Sequence, residues 1–185
     1  LMNSLPSIRG VEGEGVANGF SSFSSGAKPR VSILKDGVAE PFVAMLSGDQ
    51  GMWDVQQLEV LRGPQSSNSG RNSIGGVVYI TTKAPSLEDT EFAARAGYTN
   101  TNKASEGAFM LSSPLITNEL AYRLTVQRLD GDSYLNYQLG EGDQFPFDPK
   151  AFGLTSSTAK LLWTPADIAG LKMLLQYSLA KETGE

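Results

Sequence analysis

The sequence predicts a mixed α+β segment up to about residue 85, followed by an antiparallel sheet of longer strands. Three observations carry this reading. Short apolar runs alternate with glycine- and serine-rich turns before Pro85. Strict two-residue alternation of apolar and polar side chains takes over after it, and the connections there differ sharply in length. A period of two is the mark of a strand with two unlike faces.

In the first part, residues 10–26 read as polar loop, and residues 30–34 (RVSIL) as a strand ending at an Asp36, Gly37 turn. Residues 55–61 fit a short helix or a strand, because a run this short has no decisive period. Residues 76–82 (GVVYITT) are β-branched and read as a strand.

In the second part, residues 119–129 alternate most clearly. Leu120, Tyr122, Leu124 and Val126 fall on one face and Ala121, Arg123, Thr125 and Gln127 on the other. Residues 171–179 repeat the scheme, broken by Leu174, and residues 91–99, 106–113 and 156–163 are weaker candidates. The connection at 99–104 is polar, 113–118 (SPLITN) reads as a tight turn, 130–154 as a long polar loop and 164–170 (TPADIAG) as tight again. Outer-membrane barrels alternate short turns and long loops and carry aromatic girdles, which Tyr98, Tyr122, Trp163 and Tyr177 would supply. A soluble antiparallel sheet with one face on a core alternates too. Periodicity leaves both open.

Composition narrows the chemistry. The 185 residues are 40% hydrophobic and 19% charged, which suits a folded chain. Net charge is −5, against the basic surface that phosphate neutralisation needs, so nucleic acid is not an expected partner. With neither cysteine nor histidine, this stretch has no disulfide, thiolate nucleophile or imidazole base. No uncharged apolar run approaches the roughly 20 residues of a membrane-spanning helix. Residues 1–10 lack the features of a signal peptide, so processing or truncation is expected to have removed the true start.

Two nucleotide-like motifs fail on inspection. Gly70 to Gly75 has phosphate-loop spacing, but Gly76 and Val77 follow where a lysine and a hydroxyl are required. Gly13 and Gly15 begin a dinucleotide fingerprint whose third glycine falls one place late, at Gly19. Asp130, Asp132, Glu141, Asp143 and Asp148 gather in the long loop without an EF-hand spacing, and a solvated acidic loop is expected rather than a metal site.

The informative stretch is residues 54–65 (DVQQLEVLRGPQ) with residues 70–83 (GRNSIGGVVYITTK). Together they resemble the signature of the TonB-dependent receptor plug. Residues 8–10 (IRG), 31–38 (VSILKDGV), 112–115 (SSPL) and 161–165 (LLWTP) are similar to further family features in the same order. Ser69 departs from the pattern, standing where the family often has an aromatic residue.

The resemblance implies a mixed α+β plug domain over residues 1–85, followed by the first strands of an antiparallel transmembrane β-barrel over residues 86–185. A complete barrel of roughly 22 strands needs several hundred residues, so the chain is expected to be a fragment. By the same resemblance it belongs to a receptor of the bacterial outer membrane. Such a receptor takes up a scarce nutrient, most often a ferric siderophore, through a barrel gated by TonB, with no bond made or broken and no cofactor. Cobalamin, carbohydrate or another nutrient is the close alternative, and a soluble β-rich binding or adhesion domain the distant one. TonB would bind upstream of this stretch, and outer-membrane lipid would surround the strands.

Arg9 and Arg62 match plug arginines that pair with wall glutamates, and Gly63, Pro64, Gly70, Arg71, Gly75 and Gly76 complete the expected anchoring and gating set. Plug loops carrying Phe20, Phe42, Val43 and Ala44 are expected to face the ligand.

Overall fold

The structure, a computed structural model, describes residues 7–11, 28–40, 52–65, 73–101, 103–132, 151–168 and 170–183. The chain divides into two compact units. Among described residues, 55–83 and those before residue 49 form the first, while 52–54 and those from residue 84 onward form the second.

The first unit is a four-stranded sheet of β1 (Val31–Lys35), β2 (Val38–Ala39), β3 (Val55–Arg62) and β4 (Gly76–Thr82), in the order β2-β1-β4-β3. β1 runs parallel to β4, and the other two pairs are antiparallel. Asp36 and Gly37, at φ of 50° and 82°, make the tight turn from β1 to β2. Two successive positive φ values match the twist of a two-residue hairpin. The Asp36 carboxylate accepts hydrogen bonds from Thr82 N at 2.8 Å and Thr82 Oγ1 at 2.6 Å, tying the end of β1 to the end of β4. Val31 and Val78 pack with Ile8, and Ile33 and Ile80 join them on the same face. Val77, on the opposite face of β4, is fully buried, which explains the unbroken apolar run in that strand.

The expected mixed α+β character is corrected here, because there is no helix among the described residues. Residues 55–61, ambiguous between helix and strand, lie in β3. β4 would otherwise present an unpaired edge of backbone donors and acceptors, and antiparallel β3 satisfies it from Val55 to Arg62. Tertiary pairing, rather than local propensity, decides this segment.

The second unit is a five-stranded antiparallel meander of β5 (Glu91–Thr99), β6 (Ala104–Ile116), β7 (Leu120–Asp132), β8 (Ala151–Trp163) and β9 (Met173–Thr183), paired in chain order. The turn expected at 113–118 is shorter than its sequence suggests. β6 continues through Pro114, paired with Ala121, and residues 117–119 alone make the turn. β9 begins at Met173, leaving Leu171 and Lys172 in the connection. Most of the long loop expected at 130–154 lies outside the described residues, with β7 reaching Asp132 and β8 starting at Ala151.

Register fixes the two faces, since directly paired residues share a side of the pleat. Phe92, Leu111, Leu124, Ala159 and Tyr177 form one row, and Phe109, Val126 and Leu179 belong to the next. Leu124 and Val126 are 43% and 46% exposed, and Tyr177 is 68% exposed. Phe92 and Phe109 meet edge to face at 5.3 Å on this apolar side. The opposite face carries Ser112, Arg123 and Lys160 in register, all buried. Leu174, the break in the alternation of β9, pairs with Leu162 on this inner face.

Candidate functional site

The predicted anchoring residues that the structure describes gather at one end of the first sheet. Ile8 and Val11 exchange backbone hydrogen bonds of 3.1 and 3.0 Å around Arg9 and Gly10, whose φ values are 52° and 77°. Arg9 is therefore thrust outward at the tip of a tight turn, and its side chain is exposed. Arg62 ends β3 opposite Gly76, also exposed. Neither guanidinium has an ion-pair partner among the described residues.

The paired glycines have a steric reason. A Cβ on Gly76 would strike the Leu61 carbonyl oxygen and come within 2.8 Å of Ile8 Cδ1, and the backbone there has φ of 147°. A Cβ on Gly75 would lie 2.9 Å from Val11 Cγ1 and 3.3 Å from the Arg30 carbonyl oxygen. Only hydrogen at these positions lets the Ile8 to Val11 turn close on the sheet. Gly63, with φ of 92°, bends the chain after β3 and donates to the Gly75 carbonyl at 3.1 Å, and Gln65 N reaches the Ser73 carbonyl at 3.0 Å beyond Pro64. Gly70 and Arg71, and the loop residues Phe20, Phe42, Val43 and Ala44, lie outside the described residues.

The second unit contains a charged site that sequence reasoning did not single out. Arg123 on β7 is 1% exposed and grips Asp54 with two parallel hydrogen bonds, Nε to Oδ2 at 2.6 Å and Nη2 to Oδ1 at 2.5 Å. Its remaining terminal nitrogen, Nη1, donates to Glu91 Oε2 at 2.7 Å. The Asp54 side chain is 7% exposed and that of Glu91 47%. A fork-on-fork pair of this kind is both charge-assisted and directional, which lysine cannot reproduce. Glu91, Ser112, Arg123 and Lys160 stand in one register row across four strands. Arg123 and Lys160 are directly paired across β7 and β8, and Asp54 and Glu91 neutralise the arginine of that pair.

A second attachment lies along the same face. Trp53 N donates to Gln127 Oε1 at 3.3 Å, Gln127 Nε2 donates to Glu106 Oε1 at 3.1 Å, and Arg95 Nη2 donates to Glu106 Oε2 at 2.7 Å. Residues 52–54 are thus held on this face of the sheet at two points, although Asp54 lies 37 positions before the nearest strand of that sheet, which starts at Glu91. Asp54 has φ of 69°, a left-handed conformation that aspartate tolerates better than most residues, and β3 begins at the next residue. The signal available in the sequence was an arginine on the polar face of the clearest alternating strand and an aspartate leading the plug-like motif. Neither indicates the other. The described residues hold no cluster of carboxylates able to bind a metal ion.

Residues 1–77 match the family model of the TonB-dependent receptor plug domain. The pesticin receptor of Yersinia pestis is 29% identical over 126 residues, covering 68% of this chain and 18% of that protein. The ferrioxamine receptor of Yersinia enterocolitica is 30% identical over 131 residues, 70% of this chain and 16% of that one. Among solved structures, the ferric yersiniabactin uptake receptor FyuA of Yersinia pestis superposes with a TM-score of 0.68 at 25% identity, covering 83% of this chain and 23% of its own. The chain therefore spans about a fifth of the length of the relatives it matches.

Proposed function

The chain belongs to the TonB-dependent receptor family, and from that premise we propose that it is part of an outer-membrane receptor for a ferric siderophore. In this reading residues 1–85 are the later part of the plug domain and residues 86–185 the first barrel strands. The observation that carries it is the asymmetry of the five-stranded sheet. Phe92, Leu124, Val126, Leu175, Tyr177 and Leu179 are exposed on one face, while the other buries the charged Arg123 and Lys160 and the Ser112 hydroxyl beside Met110, Ala121 and Leu162. A soluble sheet covers its apolar face, whereas a barrel wall turns that face to lipid and its polar face to the lumen. This same asymmetry disfavours the soluble binding or adhesion domain.

TonB, acting on a segment upstream, would supply the pull that opens the lumen, and the protein carries out transport rather than catalysis. Arg9 and Arg62, exposed at one end of the plug sheet, would pair with glutamates on wall strands beyond this stretch. The test is uptake of radiolabelled ferric siderophores by iron-starved cells carrying the whole receptor, with and without TonB. Accumulation that requires both is expected. Wild-type accumulation in cells lacking the receptor, or transport indifferent to TonB, overturns the proposal. In the same cells Arg62→Ala is expected to raise antibiotic leakage while ligand binding persists, and unchanged leakage and uptake would remove Arg62 from the anchoring set.

A further inference from the structure

We infer that residues 52–54 are a strap fastened to the barrel wall by a releasable ion latch, in which Arg123 holds Asp54 when the strap is down and keeps Glu91 when it lifts. The inference deepens the gated-receptor reading and rests on it for its purpose, but its geometry stands on the second unit alone.

Arg123 holds two carboxylates at once, and they differ in kind. Asp54 belongs to the strap, is itself buried, and takes two hydrogen bonds. Glu91 belongs to β5 of the wall, is half exposed, and takes one. Breaking a one-to-one buried pair strands a charge, which is what makes such pairs hard to open. Here the departing carboxylate leaves into solvent as the strap lifts, and the arginine stays paired because Glu91 is fixed to the same sheet. The second attachment is built for release as well. Its only hydrogen bond among the described residues is 3.3 Å long, from Trp53 N to Gln127, whose amide nitrogen is already engaged by Glu106. The Trp53 indole Nε1 is buried without a partner among those residues, so lifting the strap relieves an unsatisfied donor. Asp54 is bonded directly to Val55, the first residue of β3, so the latch lies where the chain passes into the plug sheet.

This arrangement predicts opposite effects for the two acids. Asp54 stabilises only the fastened state, so its loss favours release. Glu91 matters most in the released state, where it is the remaining partner, so its loss disfavours release. A static structural triad predicts loosening from both.

The measurement uses the whole receptor in lipid vesicles with a nitroxide on Met52→Cys, a position 54% exposed, in a background free of other cysteines. The urea concentration that mobilises the label is read by electron paramagnetic resonance, with neither nutrient nor TonB present. Asp54→Asn is expected to raise the mobile fraction at fixed urea by about tenfold, the factor of one lost charge-assisted hydrogen bond. Asp54→Glu, which keeps the charge, is expected to return it toward wild type, and this separates latch loss from general misfolding. Glu91→Gln is expected to release at or above the wild-type urea concentration. Release at lower urea in Glu91→Gln, or an unchanged label in Asp54→Asn, overturns the latch. Failure of siderophore uptake would instead strike the transport reading and leave these label data untouched.

Discussion

The two sheets of this chain use the same backbone chemistry for opposite ends. In the first unit β4 lies between β1 and β3, and Val77 and Val78 are buried on opposite faces of the same strand. Glycines at 75 and 76 let a neighbouring turn approach that strand. In the second unit the strands are up to 13 residues long and every pair is antiparallel. There an exposed apolar face backs one that buries Arg123, Lys160 and Ser112 among apolar residues such as Met110, Ala121 and Leu162. The difference teaches that burial must be judged against the solvent each face meets. In the first unit the buried groups are mostly apolar, whereas the second also buries charges that must find partners.

The sharpest way to break this comparison is to remove the charge that the second unit buries. In the whole receptor, Arg123→Ala leaves Asp54 facing the sheet without its cation, at a cost of about 3 to 5 kcal/mol in denaturation from lipid vesicles. A loss below about 1 kcal/mol, the range of exposed pairs, would place the cluster in water rather than in a closed interior. Next comes the opposite face. Leu124→Arg is expected to cost about 2 to 4 kcal/mol near the bilayer midplane, and no loss there would mean that this face does not meet lipid.

The first unit answers to packing instead. Gly76→Ala drives a methyl group into the Leu61 carbonyl and the Ile8 side chain, and is expected to cost about 1 to 3 kcal/mol. Equal stability of that variant would show that the Ile8 to Val11 turn gives way freely. The smallest effect is reserved for Arg128, whose pair with Asp130 at 2.6 Å leaves both side chains well exposed, 69% and 43%. Arg128→Gln is expected to change stability by about 0.5 kcal/mol or less, and by less still in high salt. A drop matching that of Arg123→Ala would erase the distinction between the two arginines of β7.

Periodicity and motif each made part of this legible beforehand. The alternation around Leu124 placed Arg123 and Leu124 on opposite faces, because a period of two needs no partner strand to be read. The DVQQLEVLRGPQ and GRNSIGG stretches pointed to the family through residue types held at fixed spacing. The Asp36, Gly37 turn was visible because its backbone demands those residues. In contrast, residues 55–61 were undecided locally, since their strand character comes from the edge that β4 offers them. The turn read over 113–118 narrows to 117–119 because pairing with β7 carries β6 through Pro114, and proline is tolerated where its missing donor is not needed.

What the sequence determined by itself is the local part: which residues extend, which face is apolar, where tight turns fall, and which family the motifs resemble. Each of these follows from neighbours within a few positions. The tertiary structure alone decided that Asp54 and Arg123, 69 residues apart, share two hydrogen bonds, and that Glu91 completes the set from a third segment. No periodicity encodes such a meeting. A charge is written in the sequence as a residue type, but whether it faces water, lipid or an opposite charge depends on which distant strand the register brings beside it. The glycine pair shows the same division, since the motif announced Gly75 and Gly76 and only the approach of Ile8 and Val11 gave the reason for them.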